Sequence, residues 1–133
     1  MAIQFSTAVR DARLDQIETT IGTSAVIRIF TGSPPANCAA ADSGTILATV
    51  NCPTDWMAAA SGGSKAKSGT WEDLSADNTG TAGHFRVYDS GVTTCHMQGT
   101  VGTSGTDMTV NSTSFTSGQP FTINTFTLTD GNA

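Results

Sequence analysis

Charge is scarce in this chain. Only 13% of its 133 residues are Asp, Glu, Lys or Arg, against about 25% in an average soluble protein. Basic residues are scarcest: six Lys and Arg face eleven Asp and Glu, a formal net charge of −5. That count excludes a basic stripe along a phosphate backbone, so nucleic acid is not an expected partner. It is also too mild for a disordered acidic tail. No apolar run reaches the roughly eighteen residues of a membrane-spanning helix, and no membrane partner is expected. Before Arg10 there is no basic residue, and no apolar segment of the signal type follows it. Folding in the cytoplasm of the producing cell is therefore expected.

Reactive groups are equally sparse. Cys38, Cys52 and Cys95 are odd in number and form no CxxC and no Cys/His zinc spacing. They read as small buried or half-buried thiols, with a Cys38–Cys95 bridge left open should the folded chain meet oxygen. His84 and His96 fall on adjacent strands of one predicted hairpin. A pair with Asp89 or Asp107 would suit a metal or a proton relay; two surface hairpin residues is the stronger reading. No G-x-S-x-G elbow occurs. Gly62-Gly63-Ser64-Lys65 resembles a phosphate loop only in part, because Ala66 stands where the magnesium-binding hydroxyl belongs. No catalytic residue, cofactor or metal is expected, and the chain does not read as an enzyme.

What is present is Thr, Ser, Ala and Gly, patterned in two regimes. Residues 6–21 predict one helix, capped by Ser6 and closed by Gly22. At about 100° per residue, Phe5, Ala8, Val9 and Ala12 fall on one side. Leu14, Ile17 and Ile21 lie nearly opposite. Two offset stripes predict contact with two surfaces; the plainer alternative is that Phe5 and Ala8 precede the helix. Its charges, Arg10, Asp11, Arg13, Asp15 and Glu18, form no opposite-sign pair four residues apart. Solvent or a neighbouring chain would account for them.

From residue 25 the period becomes two. Strands are expected over 25–31, 45–50 and 55–60, separated by the stiff Pro34-Pro35 loop. Lys65 and Lys67 alternate in residues 61–70, as on an exposed edge strand. Residues 83–89 and 93–101 predict a hairpin across Ser90-Gly91. One or two short strands are expected in 106–115, interrupted at Asn111-Ser112. A last strand is expected over 121–128, with a bulge near Asn124-Thr125 to explain its switch of apolar parity. About seven or eight short strands of this spacing predict a mainly β fold: a single β-sandwich or jelly-roll-like domain with one N-terminal α-helix. Residues 1–22 would be an arm and helix for assembly, and 23–133 the sandwich. Trp56, Trp71 and Tyr88 read either as core anchors or as an aromatic platform for sugar.

Much of the chain resembles small structural proteins encoded among the virion genes of tailed bacteriophages, of decoration or cement type. The resemblance is carried by Ala2-Ile3-Gln4-Phe5-Ser6, Ala12-Arg13-Leu14-Asp15, Ile17-Glu18-Thr19 and Ile21-Gly22. It runs on through Pro35-Ala36-Asn37-Cys38-Ala39-Ala40-Ala41-Asp42-Ser43-Gly44-Thr45 and Asp55-Trp56-Met57-Ala58-Ala59-Ala60. It continues in Ser61-Gly62-Gly63-Ser64-Lys65-Ala66-Lys67-Ser68-Gly69-Thr70-Trp71 and Gly83-His84-Phe85-Arg86. It implies a component of a phage particle and brings no catalytic residues. The expected function is a capsid decoration protein that bridges head subunits, located in virions assembled in the host cytoplasm. The expected partners are capsid or other virion proteins and further copies of the chain. A tail, baseplate or fibre-attachment protein is the alternative, and a receptor- or glycan-binding module a further one. Candidate partner contacts are Ile3, Phe5, Val9, Arg10, Arg13, Leu14 and Ile17.

Overall fold

A computed structural model describes residues 3–133; Met1 and Ala2, part of the expected arm, lie outside the described residues. The single helix, α1, spans Thr7–Ile21. The Ser6 hydroxyl accepts from the Val9 amide at 3.2 Å, and Gly22, at φ 92°, donates its N–H to the Glu18 carbonyl. Start and stop are as the sequence predicts.

Ten short strands follow: β1 Val26–Thr31, β2 Ile46–Asn51, β3 Ser64–Ala66, β4 Trp71–Asp73, β5 Gly80–Tyr88, β6 Cys95–Gly102, β7 Met108–Thr109, β8 Ser114–Phe115, β9 Phe121–Ile123 and β10 Thr127–Thr129. The main sheet has the order β2-β1-β5-β6-β7, and β8 pairs with the start of β5. The predicted hairpin is β5–β6. Two small antiparallel pairs, β3–β10 and β4–β9, complete a mainly β, sandwich-like domain with one N-terminal helix.

Register decides which residues enter the core, because residues directly opposite on neighbouring strands share a face. Ile27 aligns with Val50 and Val87, and Val87 with Met97. Ile29 aligns with Ala48 and Phe85, and Phe85 with Gly99. These two rows meet Trp56, Trp71, Ile123 and Phe126 from the other layer, and Ile21 from α1, in one cluster. Phe126 bridges the layers, with its ring 5.7 Å from both Trp71 and Phe85.

The opposite face of the sheet is also covered. Along it run Phe30, His84 and Thr100, and beside them Arg28, Arg86 and Gln98. The strandless loop of residues 32–44 lies over them. Gln98 donates to the Pro35 carbonyl at 2.7 Å, and His84 Nδ1 lies 2.8 Å from the Gly32 carbonyl. The loop passes so close that a Cβ on Gly83 would stand 2.2 Å from the Gly32 oxygen. Only glycine fits there.

The first and last described segments adjoin. The Phe5 amide donates to the Asn132 carbonyl at 2.6 Å, and Gln4 reaches Ala133.

Three expectations are corrected. Residues 55–60 form no strand, only an isolated bridge from Met57 to Lys67: the Ala58 and Ser68 amides bond to the Ala66 and Trp56 carbonyls, but the Ala60 amide is taken by the Asp15 carboxylate of α1, which ends the ladder. Residues 121–128 do not form one bulged strand. They divide into β9 and β10, which pair with different partners, and the parity switch marks the change of sheet. Lys65 is not on an open edge: it is 1% exposed.

Candidate functional site

The inner face of α1 is fastened by polar groups as much as by apolar ones. Asp11, Asp15 and Glu18 stand one and two turns apart on this face. Asp11 accepts from the Gly63 amide at 2.8 Å, and Asp15 from the Ala60 amide at 2.9 Å. The Lys65 ammonium lies 2.7 Å from Asp15, 2.8 Å from Glu18 and 2.8 Å from the Ala58 carbonyl. Burial alone would lower the Lys65 pKa; the hydrogen bonds to Asp15 and Glu18 outweigh it and hold the ammonium above its ordinary value. In return the Lys65 hydrogen bond, aided by the Ala60 amide, holds Asp15 below the usual carboxylate range. Gly63 sits at φ +80°, and a Cβ there would meet the Arg10 guanidinium at 2.1 Å. At the helix end, the Trp56 indole donates to the Gly22 carbonyl at 2.8 Å.

The predicted contact residues divide accordingly. Leu14 is buried, and Ile17 packs partly buried against the core. Arg10 donates to the Asp130 carbonyl at 3.3 Å, and Arg13 pairs with the Asp130 carboxylate at 3.0 Å. The Arg13 guanidinium also lies over the half-buried Phe5 ring, 4.8 Å from its centroid. These five side chains are engaged within the chain. Ile3, 75% exposed, and Val9, 42% exposed, are open, and Ala8 and Ala12 are exposed beside Val9. The stripe holding Ala8, Val9 and Ala12 is thus the outward one, and the Leu14–Ile17–Ile21 stripe the inward one.

A second concentration of chemistry lies on the loop side of the main sheet. Arg28 and Arg86 stand directly opposite each other, a like-charge pair that is unfavourable alone. Asp42 answers both, at 2.5 Å from Arg86 and 3.9 Å from Arg28, and accepts from the Tyr88 hydroxyl at 2.5 Å. Burial, and then that bond to Asp42, push the Tyr88 phenol well above its ordinary value. Arg86 is 1% exposed and fully used: it also donates to the carbonyls of Cys38 and Ala40 at 2.8 and 3.0 Å, and to Cys95 Sγ at 3.1 Å. Asp42, Arg86, Tyr88, Cys38 and Cys95 border an open recess of about 350 Å³.

The histidines do not form a pair. His84 is buried on the loop side, stacked on Phe30. His96 borders a shallow groove with Ile17, Thr20 and Ile21 of α1, on the other side of the sheet. Among the described residues no three His, Cys, Asp or Glu side chains gather where they would hold a metal. Trp56 and Trp71 are both completely buried, with the Trp71 indole donating to the Trp56 and Ser68 carbonyls, so the aromatic platform for sugar is not on the surface. A neutral cleft of about 350 Å³ lies elsewhere, bordered by Asn111, Ser114, Gln119 and Asn124 over Phe115 and Phe121. No described helix is long and apolar enough to cross a membrane.

Sequence reasoning missed Lys65 and Arg86. The signal for Lys65 was the acidic row Asp11, Asp15, Glu18, whose spacing lies on one helix face and wants a cation. Arg86 carried none, because an arginine between Phe85 and Val87 reads as the solvent side of an alternating strand. No protein-family model, no curated protein and no solved structure matches the chain.

Proposed function

We propose that this protein is a structural component of a bacteriophage particle, a capsid decoration or cement protein that bridges head subunits in many copies. The observation that supports the reading is the division of α1. Its inner side is fixed by ion pairs and buried side chains, while Ala8, Val9 and Ala12 on the helix, and Ile3 before it, are exposed among the described residues. Such a helix is a stiff, small-residue surface, presented without further ordering cost. The resemblance of the sequence to phage virion proteins points the same way. The low charge of the β-domain lets identical neighbours sit side by side without like-charge repulsion. Cementing then works by burying surface across subunit joints, so that internal pressure has more contacts to break.

The test replaces Val9 and Ala12 by Asp in the phage that encodes the chain, and counts copies per purified particle by quantitative mass spectrometry. Both positions are exposed, so the variant should melt with the wild type. Decoration predicts hundreds of wild-type copies and loss of the variant from heads. Retention of the variant removes the helix as anchor. A handful to a few dozen wild-type copies would move the protein to the tail, baseplate or fibre attachment.

A further inference from the structure

We propose that Cys38 and Cys95 are a disulfide-forming pair, which oxidation joins to staple the loop of residues 32–44 onto the β5–β6 hairpin. This goes beyond the virion reading and does not depend on it.

Three observations place the two thiols for this reaction. First, both are free, half-buried and on the wall of the same open recess, within reach of a small oxidant. Second, the Cys38 side chain neighbours the Cys95 thiol closely enough to help raise its pKa. Third, one guanidinium holds both residues: Arg86 Nε donates to Cys95 Sγ at 3.1 Å, and its far nitrogen donates to the Cys38 carbonyl at 2.8 Å. Cys38 itself rides on a tight turn in which the Asn37 side chain accepts from the amides of Ala39 and Ala40. Forming an S–S bond of about 2.05 Å asks for side-chain rotation and a shift of a loop that belongs to no ladder.

The local electrostatics suit a bond that forms on demand. Burial raises the Cys95 pKa and the neighbouring Cys38 side chain adds to it, while the Arg86 charge opposes both. Cys95 is therefore kept as a thiol until its neighbour has reacted, with a cation at hand for the thiolate when it forms. The oxidant is a low-molecular-weight disulfide such as glutathione disulfide. The Cys38 thiolate attacks one of its sulfurs, breaking that S–S bond and expelling one glutathione thiolate. Cys95 then gives up its proton and attacks the Cys38 sulfur of the mixed disulfide, expelling the second glutathione. Two protein thiols lose two protons and two electrons, and one disulfide becomes two thiols.

Cys52 serves as an internal control. It is buried, and burial raises its pKa to about 12, so it does not compete. The experiment equilibrates the folded protein in glutathione buffers of rising oxidised fraction. It then blocks free thiols under denaturing conditions, maps peptides and measures Tm. Expected is a Cys38–Cys95 cross-link with Cys52 alone blocked, and a Tm higher by roughly 5–15 °C in the cross-linked form. Cys38→Ser and Cys95→Ser should each lose that rise, whereas Cys52→Ala should keep it. Three blocked thiols at every ratio, stable glutathione adducts, or cross-links between chains would overturn the pairing. A cross-link that leaves Tm unmoved would overturn the staple.

Discussion

The Lys65 ammonium lies 2.7 Å from a carboxylate oxygen of Asp15, across 50 residues of sequence. The two partners are not equally placed. The Lys65 side chain is 1% exposed, whereas Asp15 is 46% and Glu18 24% exposed. Without the lysine, the carboxylates can be rehydrated. Without the carboxylates, a dry ammonium keeps only the Ala58 carbonyl. Lys65→Met, which preserves the buried stem, should cost about 1–2 kcal/mol of folding stability. Asp15→Asn combined with Glu18→Gln should cost more, and adding Lys65→Met to that pair should restore part of the loss. Urea denaturation of the three variants checks the order.

Acid should loosen the same attachment. Asp15, Asp89 and Asp107 are all held below their ordinary value of 3.8. Asp15 is held there by the Lys65 hydrogen bond, Asp89 by the hydroxyl and amide of Thr93, and Asp107 by the amide and hydroxyl of Thr100. A carboxylate whose folded pKa is depressed adds stability above its unfolded pKa and loses it as pH falls through the folded one. Tm should therefore be flat near neutrality and fall below about pH 4. Asp15→Asn should start lower and fall less steeply, which a series of melts across acidic buffers would show. An Asp15→Asn slope equal to wild type would remove Asp15 from this account.

The contact between Gly83 and Gly32 gives a sharper packing test. A methyl group at Gly83 meets backbone at 2.2 Å and cannot turn aside, so the 32–44 loop must lift from the sheet. Gly83→Ala should cost about 1–3 kcal/mol or more. Gly91→Ala, in the hairpin turn, meets nothing nearer than 3.6 Å and should be close to neutral. Thermal melts of the two single variants settle the comparison.

The features legible in the sequence were those with local causes. The helix announced itself through Ser6 and Gly22, and the β5–β6 hairpin through alternation about Ser90-Gly91. The outward stripe of Ala8, Val9 and Ala12 was legible as an oddity of helical phase. What was missed depends on distant partners. Lys65 looks like edge protection until α1 is laid over it. The change of parity between Ile123 and Phe126 is the same whether a strand bulges or the chain leaves one sheet for another. Trp71 sits among polar neighbours in sequence yet packs, tilted, between Trp56 and Phe126 in space. Spacing left the Cys38–Cys95 pairing open, and in space Arg86 bonds the Cys95 sulfur and the Cys38 carbonyl at once.

The hydrogen bond from Phe5 to Asn132 sets a practical geometry. Since the first and last described segments adjoin, a short peptide would suffice to join them, and the chain is suited to circular permutation. Both of these segments lie at the N-terminal end of α1, so cargo joined to them would lie near the helix start. New ends cut into the exposed turn at 103–105 would leave the outward stripe of α1 clear. Labels meant to test the proposed assembly belong there, and passengers meant to obstruct it belong beside Phe5 and Asn132.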